Sequence, residues 1–178
     1  MKVLFTLIVL ITAVFNIQAQ QYKPVAEKSN ITFTIKNFGI NTSGSTTGLK
    51  GTIKFDANNV AASSFNVSVE ANTINTNNNM RDDHLKKEDY FNVAKYPAIS
   101  FVSTGITGSK DQYTVTGNLT IKGVSKSVSF PFTTKNDANG LTFSGSFEIN
   151  RKDFGVGGSS AVLGNSVTID LKVVAVKA

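Results

Sequence analysis

Cysteine and tryptophan are absent from the 178 residues, histidine occurs once, and proline occurs three times. Without cysteine there can be no disulfide, no zinc–thiolate site and no thiol nucleophile, so the fold rests on its core and its hydrogen bonds. His84 is the sole imidazole, and the chain has no Gly-x-Ser-x-Gly elbow, His-Glu-x-x-His helix or phosphate-binding loop. A metal site would have to be built almost wholly from carboxylates, so neither a metal ligand nor a catalytic residue is assigned. Long apolar runs are also missing, except at the N-terminus.

There Lys2 precedes a nearly unbroken apolar stretch from Val3 to Phe15, and Ile17-Gln18-Ala19 offers a small residue for cleavage. This pattern predicts a secretory signal peptide over residues 1–19 and a single domain over residues 20–178. The apolar run is shorter than the roughly 20 residues of a spanning helix. The predicted address is periplasmic or secreted, after cleavage near Ala19. Loss of Lys2 takes the 18 basic residues to 17 against 12 acidic ones, a moderately basic mature chain.

From residue 28 onward the dominant signal has period two, the pattern of strands with one buried face. Ile31, Phe33 and Ile35 alternate with Thr32 and Thr34, and Leu49, Gly51, Ile53 and Phe55 with Lys50, Thr52 and Lys54. Similar runs centre on Val67, Phe101, Val115, Phe130, Phe143 and Ile169, which makes about eight strands. Turn chemistry separates them, including Asn139-Gly140, read as a hairpin turn with positive φ. After Val173 the alternation breaks at Val174 and Val176, which predicts a bulge or an exposed edge. Residues 77–92 are charged and lose the period, and are read as a short helical crossover. About eight antiparallel strands close best into a barrel, with a sandwich as the alternative.

Two polar stretches invite a chemical reading. His84 has Asp82, Asp83 and Glu88 nearby, an arrangement that suits either an exposed polar face or a general base. Arg151, in Asn150-Arg151-Lys152-Asp153, is suited to an anionic headgroup or to a loop-fixing pair with an acid. Nucleic acid is excluded as a partner, because Phe33, Phe55, Phe101 and Phe143 alternate with Thr, Ser or Lys and so face inward rather than forming a stacking surface.

Three stretches carry a family resemblance: Met80-Arg81-Asp82-Asp83-His84-Leu85 running on to Tyr90-Phe91-Asn92-Val93-Ala94-Lys95-Tyr96-Pro97; Thr116-Gly117-Asn118-Leu119-Thr120-Ile121-Lys122-Gly123; and Asn150-Arg151-Lys152-Asp153-Phe154-Gly155-Val156. In this order the chain resembles the YceI-like family. The resemblance implies an all-β, eight-stranded antiparallel, lipocalin-like barrel with a short helical crossover around residues 78–92. It also implies an internal pocket for an isoprenoid quinone, a prenyl diphosphate or a fatty-acid derivative, in a binding protein for lipid transport, storage or stress response and not an enzyme. No cofactor is expected beyond a bound isoprenoid or acyl lipid. Strands of 8 to 10 residues at about 3.3 Å each would enclose a channel of roughly 25 to 30 Å.

In such a barrel Phe33, Phe55, Phe101, Phe143, Phe147 and Ile169 are the candidate pocket lining, with Phe91, Tyr96 and Phe154 near the mouth. Arg151 and His84 are the candidate headgroup contacts. Further partners to consider are a membrane surface in transient contact and a second copy of the chain in a homodimer. Two other functions compete with a lipid carrier: an enzyme acting on a lipid through His84 and Arg151, and a filled barrel whose surface contacts envelope partners under stress.

Overall fold

The computed structural model describes residues 19–110 and 112–178. The signal-peptide expectation therefore lies outside the described residues, apart from Ala19. In chain order the strands are β1 (Gln20–Pro24), β2 (Asn30–Asn37), β3 (Ile40–Thr46), β4 (Lys50–Phe55), β5 (Ser64–Glu70), β6 (Ala98–Ser109), β7 (Gln112–Ile121), β8 (Val124–Asp137), β9 (Gly140–Asn150) and β10 (Leu163–Lys177). Among the described residues a single α-helix, α1 (Asn79–Leu85), lies between β5 and β6.

These ten segments make eight staves. β1 and β2 are two halves of one strand interrupted by a 3-10 turn at Ala26–Lys28, and β3 and β4 are halves of the next, with which they pair as β2–β3 and β1–β4. Every pairing between strands is antiparallel, and β10 closes the ring against β2 along most of its length and against β1 at its end. The sheet is thus an all-antiparallel closed barrel of eight strands, in which β3 alone keeps a free edge beyond its single bridge to Asn75. The expected irregularity near Val174 is absent: β10 runs in unbroken register with β9 from Ser166 to Val176, and Ala175, fully buried, continues the inward series.

β3 carries no apolar alternation, and its sequence gave no strand signal. Its core-facing positions are Thr42, Gly44 and Thr46, and the Phe33 ring lies across Gly44, where a Cβ would sit 2.4 Å from Phe33 Cζ. The missing side chain of one strand makes room for the large one of its neighbour. The same exchange occurs between Gly117 and Phe101. Gly140 has no positive φ, contrary to the hairpin expectation, and is required because a Cβ there would meet the Ala175 carbonyl oxygen of β10.

The crossover is less helical than its charge pattern predicts, since only Asn79–Leu85 form α1 and turns occupy most of residues 86–96. Asn78 caps the helix by accepting from the Arg81 amide at 3.0 Å. The buried Asp82 carboxylate accepts from the amide and hydroxyl of Thr76 and so fixes the entry to the helix. Asn75 pairs with Ser45, which places the crossover along β3 where the short strand β5 leaves it uncovered. Among the described residues no helix is long and apolar enough to cross a membrane.

Candidate functional site

The two ends of the barrel are built differently. At one end Tyr22, Phe55, Tyr113, Phe132 and Phe143 are all below 8% exposed and pack around Val115 and Ala175. Phe55 meets Tyr113, Phe143 and Phe132 edge-on at centroid distances of 5.1, 5.5 and 6.2 Å. Burial in this cluster, and secondly the charge of Asp56, raises the pKa of the Tyr22 phenol above its ordinary value. This end is solid.

Toward the other end the interior opens into a cavity of ≈480 Å³. Phe33 and Ile35 of β2, Phe147 and Ile149 of β9, and Val167 and Ile169 of β10 form its walls, and all are only half-buried although they face inward. Phe130, Phe132 and Phe143 form the floor. Phe130 stacks on Phe147 at 4.2 Å and 10°, which fixes the lower wall. On β9 the lining extends from Phe143 to Ile149 and on to Arg151 beyond the strand; eight steps of about 3.3 Å, tilted by about 40°, give a depth of about 20 Å. That depth makes the cavity a slot suited to an extended apolar chain rather than to a compact solute.

The crossover and the β9–β10 connection form the roof. Tyr90 and Phe91 from the first pack with Phe154 and Val156 from the second, over Leu119 and Ile121 of β7, and Leu85 lines the cavity from the first. The Gly157 amide donates to the Asp89 carbonyl at 2.8 Å, and Lys122 Nζ donates to the carbonyls of Gly155 and Asp89 at 2.7 and 3.3 Å. The three sequence stretches that carry the family resemblance converge on this roof.

Of the sequence candidates, Phe33, Phe91, Phe101, Phe143, Phe147, Phe154 and Ile169 line the cavity. Phe55 does not, because it lies beneath the floor in the solid end. Tyr96 does not either: its ring covers Gly123 in the β7–β8 turn, where a Cβ would fall 2.5 Å from it, and Lys95 Nζ sits 5.4 Å from its centroid. The channel does not traverse the barrel, because five aromatic side chains fill one end of it.

Arg151 lines the cavity, but its guanidinium is committed elsewhere. Nε donates to the Gly164 carbonyl at 2.8 Å, Nη1 to the carbonyls of Val156 and Gly158 at 2.8 and 3.0 Å, and Nη2 to Asn165 Oδ1 and the Leu163 carbonyl at 3.2 and 3.5 Å. All five N–H groups are used, on the β9–β10 connection and the first residues of β10, so no donor is left for a headgroup. The loop-fixing partners are carbonyls and an amide, not the Asp153 carboxylate. His84 lines the mouth, exposed, with its ring 4.8 Å from that of Tyr90. Among the described residues it makes no hydrogen bond to a carboxylate, and no three His, Asp or Glu side chains gather as metal ligands.

Sequence reasoning passed over Arg81. It lines the same cavity, half-buried, and donates from Nε to Thr76 Oγ1 at 2.7 Å and from Nη2 to the Thr76 carbonyl at 2.8 Å. The signal was its spacing: Arg81, His84 and Leu85 recur at three and four residues on one face of the helix.

A closed barrel with this roof can be compared with known proteins. A family model described as the YceI-like domain matches residues 22–175. The chain belongs to the YceI-like family. Among YceI-like relatives, a UPF0312 protein of Pectobacterium atrosepticum is 40% identical over 99 residues, covering 55% of this chain and 52% of its own length. Protein YceI of Salmonella arizonae is 35% identical over 127 residues, covering 70% and 66% respectively. The matches thus span about half to two thirds of the length of these curated relatives. Among solved structures, Burkholderia cenocepacia BcnA superposes with a TM-score of 0.80 at 27% identity, over 84% of this chain and 98% of that one. A polyisoprenoid binding domain from Saccharophagus degradans superposes with a TM-score of 0.72 at 14% identity, over 88% and 98%, a likeness of fold.

Proposed function

We propose that this YceI-like protein is a carrier that encloses the apolar chain of one amphiphile in the hollow half of its barrel. One observation carries the reading: inward-facing apolar side chains stand only part-buried around a slot about 20 Å deep. Burying apolar surface is worth roughly 25 cal/mol per Å², so these walls gain free energy from a hydrocarbon and little from a polar solute. Its volume falls within the range of about 300–1,000 Å³ of ordinary ligand pockets. The ligand class is an isoprenoid quinone, a prenyl diphosphate or a fatty-acid derivative, in keeping with the polyisoprenoid binding named for the Saccharophagus neighbour.

The carrier would act outside the cytoplasm, in the periplasm or as a secreted protein, after export by the leader at residues 1–19. The exposed apolar residues Phe38, Ile40, Met80 and Val162 lie in the segments around the mouth and favour loading at a membrane surface. The enzymatic alternative loses support, because His84 has no orienting acid and Arg151 has no uncommitted donor. The filled-barrel alternative accounts for only one end of the molecule.

Mass spectrometry of protein purified from its own source without detergent, under native conditions and after solvent extraction, tests the reading. The expected result is a stoichiometric long-chain compound. A mass equal to the bare chain, with no uptake when palmitate or an isoprenoid alcohol is added, would sink it.

A further inference from the structure

Two arginines line the cavity, and they differ in what they have left to give. Arg151 is saturated, as described above. Thr76 holds only one edge of the Arg81 guanidinium, the edge bearing Nε and one Nη2 hydrogen. The other edge, formed by Nη1 and the second Nη2 hydrogen, has no partner among the described residues. That edge is a pair of parallel donors with the spacing of a carboxylate or phosphate. No carboxylate pairs with it directly: the ion pairs among the described residues are Lys50–Glu70 and Lys86–Asp83, and the Asp82 carboxylate reaches the guanidinium only through the Thr76 hydroxyl, on the edge already taken.

Thr76 is itself buried, so the guanidinium is held by a fixed support rather than by a mobile loop. His84 lies three residues further along α1, lines the same mouth, and has its ring against Tyr90. On the adjoining strand, Thr46 lines the cavity, and its buried hydroxyl has no hydrogen-bond partner among the described residues. The Ser45–Asn75 pairing joins its strand to the segment that carries Thr76.

We infer that Arg81, assisted by His84, binds an anionic headgroup, a carboxylate or phosphate, on an amphiphile whose chain fills the slot. The inference rests on the carrier reading and narrows it: the cargo is an anion, and α1 is the element that distinguishes it from a neutral lipid. Arg81 Nη1 and Nη2 donate the bidentate pair, and the His84 imidazole donates from the side.

Displacement titrations with palmitate, hexadecyl phosphate and hexadecanol test this on the mature chain, with Arg81→Gln and His84→Gln variants. Wild type should prefer the two anions to the alcohol by about ten- to hundredfold, the worth of a charge-assisted pair of hydrogen bonds. Arg81→Gln should reduce that preference to within about threefold, chiefly by weakening the two anions, in a variant whose cooperative thermal unfolding shows that it is folded. His84→Gln alters an exposed ring and should lower the preference by a smaller factor. Equal wild-type affinity for all three probes, or an undiminished preference in both variants, overturns the assignment and leaves the carrier reading standing. Failure of wild type to bind any of the three overturns the carrier reading itself. A difference between palmitate and hexadecyl phosphate identifies which anion the fork was shaped for.

Discussion

Phe55 and Phe33 occupy equivalent kinds of position, inward on a strand and flanked by polar residues, yet they do opposite things. Phe55 is 3% exposed in a cluster of edge-to-face rings, while the Phe33 ring lies across Gly44, only part-buried, and lines the cavity. The solid end contributes cohesion, and the hollow end forgoes part of that cohesion to keep a surface available. Alternation alone marks a residue as inward. Whether its neighbours fill the space depends on the residue across the strand pair, and a glycine or threonine there leaves a gap.

The largest expected effect separates the two ends directly. Phe55→Ala should cost about 3–5 kcal/mol in denaturant unfolding of ligand-free protein, as for other core phenylalanines. Phe33→Ala should cost about 1–2 kcal/mol, because much of its surface is already uncovered, yet it should weaken palmitate binding more than Phe55→Ala does. Equal costs at the two sites would mean that the hollow half is packed in solution.

A second substitution sharpens the contrast by overfilling rather than emptying. Gly44→Ala puts a methyl group 2.4 Å from Phe33 Cζ and 2.8 Å from the Asn75 carbonyl oxygen, so the ring must swing into the cavity and the crossover must give slightly. The expected loss is about 1–3 kcal/mol, with reduced palmitate capacity in the same titration. Unchanged binding would show that the slot has slack on the β3 side.

The smallest effect belongs to the solid end and is read by pH. Tyr22 has a raised pKa in the folded state, chiefly from burial and secondly from Asp56, so the folded protein holds this proton more tightly than the unfolded chain. Its contribution is fully present below the ordinary tyrosine value of about 10 and is lost as pH climbs through the raised folded value. Tyr22→Phe should therefore flatten part of the alkaline fall in stability while leaving palmitate binding unchanged. A parallel fall in both proteins would assign it to other groups.

Much of this architecture was legible in the sequence. Runs such as Tyr113, Val115, Gly117, Leu119 and Ile121 declare their inward face, and the barrel followed from their number. β3 was not legible because its inward positions are Thr42, Gly44 and Thr46, chosen for the room they leave. Arg151 was visible as a charged residue after a clean strand, but its five acceptors come from residues 5 to 14 positions away, in a stretch with no periodicity. Arg81 was hidden for the opposite reason, since it sits among charges that read as a solvated face. Only the placement of α1 over the mouth distinguishes it from them.

The ring also fastens on its own two ends: Tyr22 lies opposite Lys177, 155 positions away along the chain. Contacts of that separation carry the full entropy of loop closure and form late. Until Leu163–Lys177 is in place, β9 on one side and β1 and β2 on the other present unpaired backbone to any passing strand. This strand follows the other nine in chain order, so the barrel is complete only once it has docked. Losing that one segment would not shorten the container but unzip it along both of its seams.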